Sequence, residues 1–180
     1  MKIKKNINAI GILGGSFDPP HKGHMFISIK SLKIFQLKKI MWIITKKNPL
    51  KKKPLFSLSK RIELCKKLIK KNKKIQIKYL EDKVGSRSSF EIVKYLKRKE
   101  KSIIFFIIGS DNLIQLHKWK NYKQFTKLCY LVVFSRKGFD TKAKKSVIMR
   151  YLKSKNIKFF MNLKINISST KLRKKIINGS

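Results

Sequence analysis

Residues 9–24 read AIGILGGSFDPPHKGH, and the passage from the apolar run Ala9–Leu13 into Gly14-Gly15-Ser16 decides the fold. A run of strand length that ends in two glycines matches the carboxyl end of a sheet strand, where ligands bind in open α/β sheets. Without a Cβ, Gly14 and Gly15 let backbone N–H groups come close to a phosphate. Pro19 and Pro20 hold the chain extended before a helix that begins near Lys22. His21 and His24, three apart at that helix start, face one point together with the positive end of the helix dipole. The stretch therefore reads as an anion site built on a strand, a glycine turn and a helix.

The rest of the chain repeats that strand-then-helix pattern. Ile40–Thr45, Ile75–Tyr79, Ile103–Ile108 and Leu128–Phe134 are further candidate strands, several of them continuously apolar, as expected for parallel strands covered on both faces. Between them Met25–Phe35, Leu58–Lys70, Ser89–Lys99 and Val147–Lys155 carry apolar residues at three-to-four spacing with lysines outward, and read as crossover helices. The expected fold is α/β, a Rossmann-like parallel sheet with helices on both faces, in one domain over residues 1–180. Lys46–Ser57, with two prolines and several lysines, is a loop of about a dozen residues and a candidate substrate lid.

Composition narrows the class. The formal net charge is +39, from 47 Lys and Arg against 8 Asp and Glu. Only six of the cations are arginines, and the lysines are spread from Lys2 to Lys175 instead of gathering on one element, which argues for a generally basic surface and against specific nucleic-acid recognition. Such a surface attracts polyanionic small molecules. Cys65 and Cys129 stand far apart in apolar surroundings and read as buried reduced thiols, with no metal centre indicated. No stretch approaches the ~20 apolar residues of a spanning helix, so no membrane partner and a cytoplasmic location are expected.

The motif Gly14, Gly15, Phe17, Asp18, Pro19, His21, Gly23 and His24 resembles the GGxFDPxHxGH signature of the HxGH nucleotidyltransferases, and within them the bacterial nicotinate-nucleotide adenylyltransferases. The resemblance runs from Ile10 to Ile177. It implies a reaction of ATP with nicotinate mononucleotide to give nicotinate adenine dinucleotide and pyrophosphate. It also implies that Gly14, Gly15, Ser16 and Phe17 contribute to ATP binding and that His21 and His24 are catalytic.

A second motif lies near the C-terminus. Ile167-Ser168-Ser169-Thr170 precedes the apolar positions Leu172, Ile176 and Ile177 and reads as the capped start of a last helix. It resembles the family's ISSTxIR, with Leu172 in place of Ile, and by that likeness Ser168, Ser169 and Thr170 meet ATP phosphates and Arg173 supports catalysis. Gly109-Ser110-Asp111-Asn112 follows the strongest strand. Asp111 is either an N-terminal cap or, by likeness to the family's GADN segment, the partner of the ATP ribose, with Gly109 beside it.

Trp119 corresponds to a family tryptophan that stacks on the nicotinate ring. Asn48 and Lys51 fall in an NPLK loop shared by some members, where Lys51 would meet the mononucleotide phosphate. Ser89 stands in a run, Ser89-Phe90-Glu91-Ile92, where many members have Thr-x-Asp-Thr; the hydroxyl and acid are kept and the second hydroxyl is not. Mg²⁺ is expected with ATP, carried mainly by phosphates and water, because the chain offers no acidic cluster for a dedicated site. Two other readings make different predictions. Phosphopantetheine adenylyltransferases usually carry Thr where His21 stands. A non-catalytic basic nucleic-acid binder would bind polynucleotides with steep salt dependence and release no pyrophosphate. Composition and motifs leave the oligomeric state open.

Overall fold

A computed structural model describes residues 8–48, 50, 53–70, 72–153, 155–161 and 169–177. Lys51 and Ser168, both expected at the site, lie outside the described residues. The strands are β1 (Ala9–Gly15), β2 (Lys39–Ile44), β3 (Ile75–Lys78), β4 (Ile103–Gly109), β5 (Tyr130–Phe134) and β6 (Ile157–Phe160). Helices α1 (Lys22–Ile34), α2 (Leu58–Ile69), α3 (Glu81–Val84), α4 (Ser89–Glu100), α5 (Ser110–Gln115), α6 (Tyr122–Leu128), α7 (Asp140–Lys144), α8 (Val147–Leu152) and α9 (Ser169–Ile177) separate or follow them, with a 3₁₀ turn at Leu116–Lys118.

All six strands are parallel, in the order β3-β2-β1-β4-β5-β6. The chain moves outward from β1 in one direction and then returns to its other side, so the switch point falls between β1 and β4, and the glycines end β1 at that crevice. Alternation within each strand sends side chains to two cores. Ile10, Ile12, Met41, Ile43, Phe106 and Ile108 face α4, α5, α6 and α8. Ala9, Leu13, Ile40, Trp42, Ile44, Phe105 and Ile107 face α1 and α2. Burial on both faces is what makes these strands read as unbroken apolar runs.

Differences from expectation have local causes. The last strand expected at Leu128 begins at Tyr130, because Leu128 closes α6. The helix expected to reach Lys155 stops at Leu152, where Lys153 turns left-handed at φ 45°, and β6 follows, a strand of only four residues interrupted by Lys158 that carries too little pattern to be read. In α1 the core-facing positions include Ser28 and Ser31, so the apolar stripe is thin. Ser28 earns its place there: its Oγ accepts the indole N–H of the fully buried Trp42 at 2.8 Å. Cys65 and Cys129 are buried free thiols, and burial pushes both up to about 12, leaving them inert as nucleophiles at neutral pH. No described helix is long and apolar enough to cross a membrane.

Candidate active site

The site starts where β1 ends. Past Gly15 the chain makes a tight turn, with Phe17 left-handed at φ 49° and a cis bond between Asp18 and Pro19, and enters α1 with His21 as its N-cap. The His21 backbone N–H donates to His24 Nδ1 at 3.1 Å. An Nδ1 that accepts leaves the ring proton on Nε2, so the helix cap itself selects the tautomer of His24. The two imidazoles stack with centroids 3.8 Å apart. Beneath His24 lie Phe17 at 4.8 Å and, stacked on Phe17 at 4.9 Å, Trp42. Phe17 is thus a buried ring that seats His24, and it also lines the larger cavity described below. Burial, and behind it the positive charge of Arg136, push the His21 imidazole down to about 4, and its Nδ1 is buried without a partner.

The second motif packs directly on the first. Ser169 Oγ donates to the Pro19 carbonyl at 2.9 Å, and Arg173 donates to the Asp18 carbonyl at 2.8 Å and to its carboxylate at 3.3 Å. Arg173 also reaches Thr170 Oγ1 at 3.2 Å. Two segments some 150 positions apart in sequence are therefore one structure. On the far side of β1, Asp111 pairs with Arg136, while its Oδ1 is buried and unpartnered. A Cβ on Gly109 would stand 2.5 Å from that oxygen, so a larger residue there would require the Asp111 carboxylate to turn.

Two cavities open along the carboxyl ends of the strands. The larger, about 840 Å³, is lined by Ser16, His21, His24, Asp111, Arg136 and Arg173, and takes in Phe17, Gly109, Ser169 and Thr170 as well. The smaller, about 470 Å³, is lined by Asn48, Glu81, Ser88, Ser89, Trp119 and Lys120. They meet at Gly14, Gly15, Ile108 and Asn112, which line both. The described residues expected at the site thus sort themselves into two groups about the glycine turn. Trp119 packs edge-on against Phe106 at 6.0 Å and also lines the smaller cavity. Asn48 accepts the Leu50 N–H through its side chain, a local turn that shapes the loop.

Four charged residues of this region escape a sequence reading: Asp18 in its structural role, Arg61, Glu81 and Arg136. Arg61 and Asp18 are each 1% exposed. Arg61 donates through Nε to the Phe56 carbonyl, through one terminal nitrogen to the Ser16 and Thr45 carbonyls at 2.7 Å each, and through the other to Lys46 at 3.0 Å. Asp18 accepts the N–H groups of Leu55 and Phe56 at 2.8 and 2.9 Å. Glu81 accepts from Thr45 Oγ1 and from the Lys46 N–H. A signal for Arg61 was present, since it occupies the same helical stripe as Cys65 four residues on; a cation at a core position implies buried acceptors.

A strand-glycine-helix turn with a second helix start packed on it stands at the switch point of a parallel sheet, an arrangement suited to a phosphate-bearing ligand. The chain belongs to the cytidylyltransferase-like family, whose model matches residues 12–175. Among its relatives, the probable nicotinate-nucleotide adenylyltransferase of Pelagibacter ubique is 44% identical over 178 residues, 97% of this chain and 99% of that one. A probable nicotinate-nucleotide adenylyltransferase of Cereibacter sphaeroides is 33% identical over 142 residues, 78% of this chain and 75% of its own. The fold is shared with the Plasmodium falciparum nicotinic acid mononucleotide adenylyltransferase complexed with NaAD, at a TM-score of 0.76 and 22% identity, covering 96% of this chain and 88% of that one.

Proposed function

We propose that this protein transfers the adenylyl group of ATP to nicotinate mononucleotide, giving nicotinate adenine dinucleotide and pyrophosphate. The observation that carries this reading is the pair of cavities meeting at Gly14 and Gly15, one lined by both phosphate motifs and the other by Trp119 and Ser89. The 44% identity to a relative bearing that name over nearly the whole chain supports it. ATP occupies the larger cavity, with the mononucleotide in the smaller and its 5′-phosphate directed at the shared wall.

A mononucleotide phosphate oxygen attacks the α-phosphorus in line; one P–O bond forms, the bond to the β-phosphate oxygen breaks, and pyrophosphate departs with its electron pair. This chemistry needs alignment and charge stabilisation and no protein nucleophile. His24, its tautomer fixed by the helix cap, donates Nε2–H to a phosphoryl oxygen. His21 acts beside it, neutral at pH 7 in the free enzyme. Ser169, Thr170 and the α9 N-terminus receive the leaving phosphates, with Arg173 exchanging part of its contact to Asp18 for them. The open Oδ1 of Asp111 accepts from the ATP ribose. Asn48, Lys51 and Ser89 contact the mononucleotide, and Ser168 joins the phosphate group.

Mg²⁺ enters with ATP, held mainly by phosphates and water. Incubation of the purified protein with ATP and, separately, nicotinate mononucleotide, nicotinamide mononucleotide and phosphopantetheine, with chromatographic detection of products, tests the assignment. Product with phosphopantetheine alone would replace it. Removing one preorganised donor typically costs about 10²–10³ in turnover, so His24→Ala should lose that much kcat. Turnover near wild type in that variant would remove His24 from the mechanism.

A further inference from the structure

We infer that Arg61 is a positioning residue for the reaction, the tie that holds the walls of both substrate cavities in one geometry. It sits on α2, outside the cavities, and touches no expected substrate atom. Its four hydrogen bonds end on carbonyls of three separate segments: Ser16 in the glycine turn, Thr45 and Lys46 at the start of the 46–57 loop, and Phe56 at its end. The loop it gathers serves both cavities. Asn48 and Leu50 line the smaller one, whereas Lys53, Pro54 and Leu55 line the larger.

Asp18 and Glu81 complete the arrangement from the other side. Asp18 accepts the backbone amides of Leu55 and Phe56, and Glu81 accepts the Thr45 hydroxyl and the Lys46 backbone amide, so each end of the loop is held by one cation and one carboxylate. Burial lowers the Arg61 guanidinium from its ordinary range, and the nearby Asp18 charge offsets part of that effect. Only a planar fork can satisfy these carbonyls together; a lysine at the same place has one point charge and cannot span them. Because in-line transfer between two bound substrates depends on sub-ångström alignment, slackening the wall between them costs turnover: a displacement of about 1 Å is worth on the order of 10²-fold.

The inference rests on the adenylyl-transfer reading for its kinetic arm and is independent of it for its structural arm. Arg61→Lys and Arg61→Ala should fold, with kcat per folded molecule down by roughly 30- to 100-fold, and millimolar guanidinium should restore part of the Arg61→Ala loss and none of the Arg61→Lys loss. Hydrogen exchange at the amides of Lys46, Leu55 and Phe56 should quicken at least tenfold in both variants, read by mass spectrometry without any substrate. Wild-type kcat and KM per folded molecule, or unchanged exchange at those three amides, overturns the positioning role. So does failure of both variants to yield folded protein, which would make Arg61 a folding determinant alone. Should the wild-type enzyme lack adenylyl transfer while the exchange result holds, the proposed function fails and the tie stands.

Discussion

At the scale of single residues the site is governed by two histidines that share an N-cap and differ in environment. His24 is defined by its neighbour's backbone N–H, and His21 by burial, which pushes it down to about 4. A depressed folded value has a definite sign. Between pH 6.5 and about 4 the unfolded chain binds a proton at His21 that the folded chain refuses, so folded stability falls as pH falls through that window and levels off below it. Thermal unfolding midpoints should accordingly drop from pH 6.5 toward 4, and His21→Asn should show a shallower drop over the same range. An identical slope in the variant would mean that the imidazole titrates normally. Much of this was legible beforehand: spacing alone placed both imidazoles at one helix start. What spacing does not carry is which ring nitrogen holds the proton, or that Phe17 turns inward to support His24, since those depend on a backbone turn and on Trp42 from another strand.

At the scale of elements, β1 is an interior strand of the sheet, paired with both β2 and β4 and packed on both faces. Gly11, in its middle, has no room for a side chain: a Cβ there would approach Ile40 Cγ1 to 2.7 Å and Leu37 Cδ1 to 2.9 Å. Gly11→Ala should therefore destabilise the protein by about 1–3 kcal/mol, the usual cost of overpacking, measured as a lower urea midpoint with KM values unchanged. The core strands announced themselves because parallel strands covered on both faces must be apolar throughout. The elements missed were those whose stability comes from elsewhere in the fold. β6 is short and is held by pairing with β5, and α3, α6 and α7 run for seven residues or fewer. Arg61 was hidden for the same reason: its carbonyl partners lie on segments 15, 16 and 45 positions away or at its own helix start.

For the whole molecule the charge of +39 acts in two directions at once. It draws anionic substrates toward the crevice and it repels itself across the folded surface. Added salt, which shortens the Debye length from about 10 Å at 0.1 M to about 3 Å at 1 M, weakens both effects. Raising sodium chloride over that range should raise the KM for ATP several-fold while raising the thermal midpoint, so affinity and stability move oppositely; steady-state kinetics and scanning calorimetry on the same samples read the two. Parallel loss of both would place the lysines in specific structural pairs instead of a diffuse field.

The wall of Gly14 and Gly15 common to the two cavities has one more consequence, for chemistry done to the protein. Two weak fragments, one seated against Trp119 and one against His24, would lie within a short linker of each other, and joining them replaces the second binding event by an intramolecular one at an effective concentration of about millimolar. The narrowness of that partition, where two glycines stand beside Ile108 and Asn112, makes the pair of cavities addressable by a single tethered inhibitor.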